Sequence, residues 1–127
     1  MLRWLPWFRA RDFWERGEDL AVRHLRRNGY RILHRNVRLA GYEIDIIARE
    51  GDTVAFVEVK TRRSNAAAEP EESVGKTKQR HIRRAAHHYI SRHGDRDTYY
   101  RFDIVSVLLP ENGRPTVNLI RNAFPDQ

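Results

Sequence analysis

Three side chains near the middle of the sequence have the types and spacing to hold a divalent ion beside a fixed positive charge: Asp45, Glu58 and Lys60. They lie in residues 43–60, where two runs rich in Ile, Val and Phe flank Gly51-Asp52. Gly at the first central position of a two-residue loop is the signature of a type II′ turn, so the stretch reads as a β-hairpin. If Gly51-Asp52 is the whole loop, Glu50 pairs with Thr53, Asp45 stands opposite Glu58, and Glu43 stands opposite Lys60. A four-residue loop gives the same register, whereas a three-residue loop sends Asp45 to the other face. In the first register Glu43, Asp45 and Ile47 share one face of their strand, and Val54, Phe56, Glu58 and Lys60 share one face of theirs.

Carboxylates on directly opposed strand residues have side-chain roots roughly 5 Å apart and repel unless a cation is shared. Hard oxygen ligands at that separation suit Mg²⁺ or Mn²⁺, and Lys60 supplies a fixed positive charge beside the ion. An exposed sheet face with a Glu43/Lys60 cross-strand ion pair fits the same register, so sequence geometry leaves both readings open.

The elements that must position this hairpin are a helix on either side of it in the chain. From Asp12 to Asn28 the apolar period is helical, with Asp12 as N-cap and Asn28-Gly29 as the stop. Trp14, Ala21, Val22 and Leu25 form one stripe, and Glu18 falls inside it. A carboxylate there either reaches water or an Arg at the stripe's edge, or, if the helix packs on the charged face of the hairpin, joins the pair as a third carboxylate. Residues 1–11, with Trp4, Trp7 and Phe8 among Arg residues and Pro6 interrupting any helix, read as an N-terminal extension to which no function is assigned. Residues 12–127 read as a single domain.

Tyr30 to Leu39 reads as a first strand whose arginines form a solvated edge or touch phosphate, leading to the hairpin through a turn at Ala40-Gly41. After Lys60, Thr61 to Ser73 has no periodicity and reads as a loop that places Arg62 and Arg63 beside the site. Lys76 to His93 is the second helix, with Ile82, Ala86, Tyr89 and Ile90 on its apolar side. It contains no Asp or Glu, while Lys76, Lys78, Arg80, Arg83, Arg84 and Arg92 are all positive. A merely solvated face mixes signs, so this one points to a phosphate-rich ligand. Lys78 and Gln79 sit near its core-facing edge, within reach of the hairpin. Thr98 to Leu109 reads as an interior strand and Thr116 to Ile120 as the last one.

Composition narrows the class of partner. A net charge of +7 and a pI near 10.4 favour nucleic acid or an acidic membrane surface over a neutral metabolite. The absence of cysteine excludes disulfides, zinc–cysteine sites and thiol catalysis. No apolar run approaches the roughly 20 residues of a membrane span, so a soluble, cytoplasmic protein is expected. There is no Gly-rich phosphate loop and no Ser/His/Asp spacing.

Asp45, then Glu58-Val59-Lys60, resembles the PD-(D/E)xK nuclease signature, in which one Asp precedes a Glu-x-Lys strand. The likeness extends to Arg16-Gly17-Glu18-Asp19-Leu20-Ala21, Glu43-Ile44-Asp45, Phe56 to Arg62, Lys78-Gln79 and Arg101-Phe102-Asp103, which occur in the same order in the YraN-like family of predicted nucleases. This family is similar in fold to archaeal Holliday-junction resolvases and restriction endonucleases. The resemblance implies an α/β fold with a mixed sheet in αβββαβ order flanked by helices. It also implies Asp45 and Glu58 as ligands of Mg²⁺ or Mn²⁺ with the Val59 carbonyl, Lys60 as the catalytic lysine, Glu18 as an auxiliary helix carboxylate and ligand, and Glu43 and Gln79 as nearby site residues. Arg62, Arg63, Lys76, Lys78, Arg80, Arg83 and Arg84 would meet the nucleic acid. Ile44 stands where the superfamily label has Pro, and Tyr42 where the family usually has Gly.

The implied activity is metal-dependent endonucleolytic hydrolysis of DNA, on branched or distorted duplex, by a homodimer. Two other classes fit the same residues: a nucleic-acid-binding domain of nuclease fold with little or no catalysis, and an interaction module whose basic helix docks on an acidic protein.

Overall fold

In the computed structural model, residues 6–63 and 74–126 are described, with side chains from Asp12 onward. The elements follow in the order α1 (Pro6–Arg27), β1 (Arg31–Leu39), β2 (Tyr42–Glu50), β3 (Thr53–Arg62), α2 (Lys76–His93), β4 (Tyr99–Leu108) and β5 (Thr116–Phe124). The strands form one sheet in the order β1-β2-β3-β4-β5. All neighbours are antiparallel except β3 and β4, which are parallel and joined through α2. This is the expected mixed α/β architecture, compatible with a restriction endonuclease-like core and extended by β5. The last strand runs past Ile120 to Phe124 because Phe124 packs into the core, stacked on Phe102 at 4.9 Å.

Each face of the sheet carries one helix. Ala21, Val22 and Leu25 of α1 pack on Ile46, Ala48, Ala55, Val57, Val105 and Val107. Ile82, Ala85, Ala86 and Tyr89 of α2 pack on Ile47, Val54, Phe56, Phe102 and Ile104. Two helical layers explain why the middle of β3 and β4 is largely apolar on both faces: Val54 to Val57 and Phe102 to Val107 are buried.

Helix α1 starts at Pro6, before Asp12, so Asp12 is not its N-cap and the expected boundary between extension and domain falls inside the helix. Proline is compatible with the first helical position, where its missing N–H would be unpaired in any case. The helix ends as its sequence indicates. Gly29 takes φ +90°, the Tyr30 N–H donates to the Leu25 carbonyl (3.0 Å), and the Gly29 N–H donates to the Arg26 carbonyl (3.2 Å), which together make a Schellman motif. Of the expected stripe, Trp14 is the exception, 57% exposed while Ala21 and Leu25 are fully buried.

Both hairpins are set by turn residues. Ala40 and Gly41 have φ of 51° and 82°, the two positive values a type I′ turn requires. Gly51 at φ 62° closes the second hairpin with Glu50 paired to Thr53, the predicted register. Strand β3 extends through Arg62, so Thr61 and Arg62 belong to the sheet and not to a loop. The rest of the expected loop, from Ser64 to Ser73, lies outside the described residues. Thr61 is buried against Gly17 of α1, where a Cβ would lie 2.2 Å from the Thr61 Oγ1, so only glycine lets helix and strand approach this closely. Among the described residues no helix is long and apolar enough to cross a membrane.

Candidate functional site

The site lies at a fork. Strands β2 and β3 pair from Glu50/Thr53 to Ile46/Val57, and there their pairing ends. Beyond that point β2 continues against β1 as far as Tyr42, and β3 continues against β4 as far as Arg62. Asp45 and Glu58 are the first residues past the last pair.

Unpaired strand backbone leaves donors to satisfy. The Val59 N–H donates to Asp45 Oδ2 at 2.8 Å. The Asp45 and Glu58 carboxyls also hydrogen-bond each other. Burial, and then the neighbouring Asp45 charge, push the Glu58 carboxyl up to about 8. Burial raises Asp45 as well, against the pull of the Val59 amide. The hydrogen bond between the two carboxyls raises Glu58 and lowers Asp45, so Glu58 is the acid that donates and Asp45 the carboxylate that accepts. Lys78 Nζ of α2 approaches Glu58 Oε2 at 3.5 Å and favours the charged form without overcoming burial. That contact becomes a full ion pair as Glu58 ionises. Lys60, half-buried, follows Glu58 by one pleat of β3.

Glu18 does not complete a ligand set. Its Oε1 accepts hydrogen bonds from Arg35 Nη2 (2.9 Å) and Asn36 Nδ2 (2.8 Å), the first of the two readings its position allows, in which it meets an Arg. It still lies within electrostatic reach of Asp45, whose pKa it helps to raise. Among the described residues no group of three or more His, Cys, Asp or Glu is arranged to hold a metal.

Asn36 explains why both β1 residues can reach α1. It adopts φ +52°, a left-handed conformation that Asn tolerates better than most residues. On one side of it, Arg35 pairs with Ile46, which packs under α1; on the other, Val37 pairs with Ile44, and both pack under α2. The hairpin thus exchanges faces at Asn36 and Asp45. This overturns the expectation for Glu43. With Tyr42 and Ile44 both in the α2 layer, Glu43 turns to the other side, exposed and paired in the ladder with Arg38 instead of lying opposite Lys60.

Gln79 also departs from expectation. Its Nε2 donates to the Val74 carbonyl (2.7 Å) and its Oε1 accepts from Arg83 Nη2 (3.0 Å), so it fastens the start of α2, while its neighbour Lys78 reaches the carboxylates. Arg83 is further tied to the Pro125 carbonyl at 2.9 Å and lies over Phe124. Of the basic residues expected to meet phosphate, Lys76, Arg80 and Arg84 remain as one exposed stripe at four-residue spacing. Arg63 is exposed with its guanidinium 4.3 Å above the Phe13 ring, and Arg62 is half-buried at the end of β3. Asn36 was the residue the sequence concealed. Its only local signal is that Asn is a common non-glycine residue at positive φ.

The sequence model of the family described as "Uncharacterised protein family UPF0102" matches residues 17–107. The chain belongs to the UPF0102 family. The match begins at the glycine that receives Thr61 and takes in Asp45, Glu58, Lys60 and Lys78. A UPF0102 protein of Caldicellulosiruptor saccharolyticus is 47% identical over 115 residues, covering 90% of this chain and 98% of its own. UPF0102 proteins of Geobacter sulfurreducens (45% over 109 residues, 86% and 85%) and Symbiobacterium thermophilum (44% over 115 residues, 91% and 98%) are similar along nearly the whole domain.

Proposed function

We propose that this UPF0102 protein is a metal-dependent endonuclease of the PD-(D/E)xK type that hydrolyses DNA phosphodiester bonds. The observation that carries the reading is the half-buried, proton-sharing Asp45/Glu58 pair at the β2/β3 fork, with Lys60 one pleat further along β3. Two carboxylates forced together in a half-buried cleft raise their own pKa values, an energetic cost that a shared cation removes. The donor set fits Mg²⁺ or Mn²⁺, because such ions are commonly held by one or two carboxylates together with waters and substrate phosphates. Asp45 and Glu58 would hold the ion, with the Val59 carbonyl as a third oxygen.

A divalent ion held there by Asp45 and Glu58 would supply polarisation of a phosphoryl oxygen and a lowered pKa for a bound water. The remaining work belongs to the chain. Glu58 must give up its proton to become a ligand, and Lys78 favours that ionised form. Lys60 positions the attacking water or stabilises charge on the pentacovalent phosphorus. Lys76, Arg80 and Arg84 neutralise backbone phosphates. Glu18, held in place by Arg35, acts on the site through its own charge, which helps to raise Asp45. Preference for branched or distorted duplex, and a homodimer that supplies two cuts, complete the proposal.

The test is a panel of labelled junctions, flaps and linear duplexes incubated with Mg²⁺ or Mn²⁺. Cleavage by wild type and none by Asp45→Asn or Glu58→Gln is expected. Wild type that cuts nothing, or Asp45→Asn that cuts equally well, removes the nuclease reading. A second reading, a nucleic-acid-binding domain with little catalysis, is favoured by the engagement of Glu18 with Arg35 and Asn36, which leaves two carboxylates at the fork. It predicts strongly salt-dependent DNA binding without cleavage.

A further inference from the structure

A groove of about 490 Å³ runs between α1 and the edge strand β1, on the side of the sheet away from α2. It is lined by Asp19, Val22, Arg23, Arg26 and Arg27 of the helix and Arg35 of the strand. Arg35 is spent on Glu18 and Asp19, at 2.9 and 2.8 Å. Arg23, Arg26 and Arg27 are exposed, and among the described residues none has a carboxylate or carbonyl to donate to. Spaced three and four residues apart, they share one side of the helix and repel one another. Their field is felt nearby: His24 is held below its ordinary value by burial and then by Arg27.

We infer that this groove is a phosphate-binding site for a nucleic-acid backbone, separate from the Lys76/Arg80/Arg84 stripe of α2. Guanidinium forks match phosphate oxygens in a bidentate way, which a scatter of lysines does not. Arg23 and Arg27 are about 6 Å apart along the helix axis, close to two phosphate steps of one strand at about 3.4 Å each. The groove is linked to the fork through its wall, where Arg35 pairs in the ladder with Ile46, the neighbour of Asp45. Arg35 at its end holds Glu18, and Glu18 lies within electrostatic reach of Asp45. A backbone lying in it would enter the site from the α1 face while the α2 stripe holds the substrate from the other. The inference rests on nucleic acid as the partner and is independent of cleavage.

The experiment measures binding of a fluorescent DNA duplex and a four-way junction by anisotropy, in EDTA and across stepped KCl concentrations. It compares wild type, Arg23→Ala/Arg26→Ala/Arg27→Ala, and Lys76→Ala/Arg80→Ala/Arg84→Ala. Loss of two or three phosphate contacts should lower the slope of log K against log salt by about 2 to 3 and weaken binding about tenfold or more near physiological salt. The single charge reversal Arg26→Glu, checked by circular dichroism for an unchanged fold, should move affinity in the same direction. An α1 triple variant that keeps wild-type affinity and slope while the α2 variant loses both overturns the groove and leaves the functional proposal standing. Wild type that binds no nucleic acid at any salt overturns both. Poly-glutamate displacing the duplex at equal charge concentration also overturns the inference, because the groove would then serve an acidic protein.

Discussion

The Val59 N–H donates to the Asp45 carboxylate at 2.8 Å, across the point where β2 and β3 separate. A single carboxylate thus closes the backbone of one strand and faces the acid of the next. Asp45→Asn keeps the side chain's shape and can still accept this hydrogen bond, while removing one charge from the half-buried pair. The variant is expected to fold, to melt in EDTA at or above the wild-type temperature, and to lose its response to Mg²⁺ or Mn²⁺. Thermal melts with and without metal at matched ionic strength check this. A wild-type midpoint that ignores millimolar metal would point to a purely structural pair.

The same pair sets a pH dependence with a definite sign. Glu58 sits at about 8 in the folded protein against an ordinary 4.5, so the folded state holds the proton more tightly than the unfolded one. The contribution of this group to stability is therefore greatest below the ordinary value and is lost as pH rises through the folded one. Asp45 works in the same direction. His24, lowered from 6.5, works in the opposite sense, but that effect is complete once the pH exceeds 6.5. Metal-free stability is accordingly expected to fall between roughly pH 6.5 and 8.5. Glu58→Gln should flatten the curve, and added Mg²⁺ should stabilise more as the pH rises, since the ligands must be ionised. A curve that rises over this window in both proteins would contradict the assignment.

Gly17 meets Thr61 with no room for a side chain. A Cβ at residue 17 would lie 2.2 Å from Oγ1, 2.7 Å from Cγ2 and 2.9 Å from Cβ of Thr61. The last of these atoms is fixed to the strand, so the clash cannot be relieved by rotation alone. Gly17→Ala should destabilise by about 1–3 kcal/mol through overpacking. Thr61→Ala in the same chain should restore part of it, as measured by urea unfolding.

Asn36 holds φ +52° and donates to Glu18 at 2.8 Å, and substitutions can separate these two roles. Asn36→Gly keeps the conformation and loses the hydrogen bond. Asn36→Val loses both and should cost about 1–2 kcal/mol more, the penalty of a β-branched residue in left-handed backbone. Equal stability of the two variants would mean that the face exchange at this residue does not depend on its conformation.

Asp103 is fully buried between three donors: the Tyr30 hydroxyl at 2.7 Å, Arg101 Nε at 3.0 Å and the Asn122 N–H at 2.9 Å. Arg101 and Arg121 also hold Glu50, whose carboxyl they pull down to about 2 against the opposing effect of burial. This network joins α1's exit, β4 and β5, and runs from Glu50 at the hairpin turn to Asp103, level with Val57 of the last β2/β3 pair. Asp103→Ala leaves the Tyr30 hydroxyl and the Asn122 N–H without their acceptor, while Arg101 keeps Glu50, and should cost about 1–3 kcal/mol for each donor left unpaired. Unfolding by urea, with Asp103→Asn as the milder variant, measures it.

Much of this protein was written locally. Gly51-Asp52 imposed the register that sets Asp45 against Glu58, Asn28-Gly29 ended α1, and Lys76 to His93 formed the helix its apolar period describes. These features depend on turn conformation and side-chain periodicity, both of which act over a few residues. What tertiary structure decided lies where the period of two fails. The left-handed Asn36 exchanged the hairpin's faces and sent Glu43 away from the pair. Helix layers on both sides let Arg35 claim Glu18 and brought Lys78, instead of Gln79, to Glu58. A strand's alternation says which residues share a face only while its backbone stays extended. Which cation answers a carboxylate depends on contacts between segments far apart in the chain, and no local pattern carries that information.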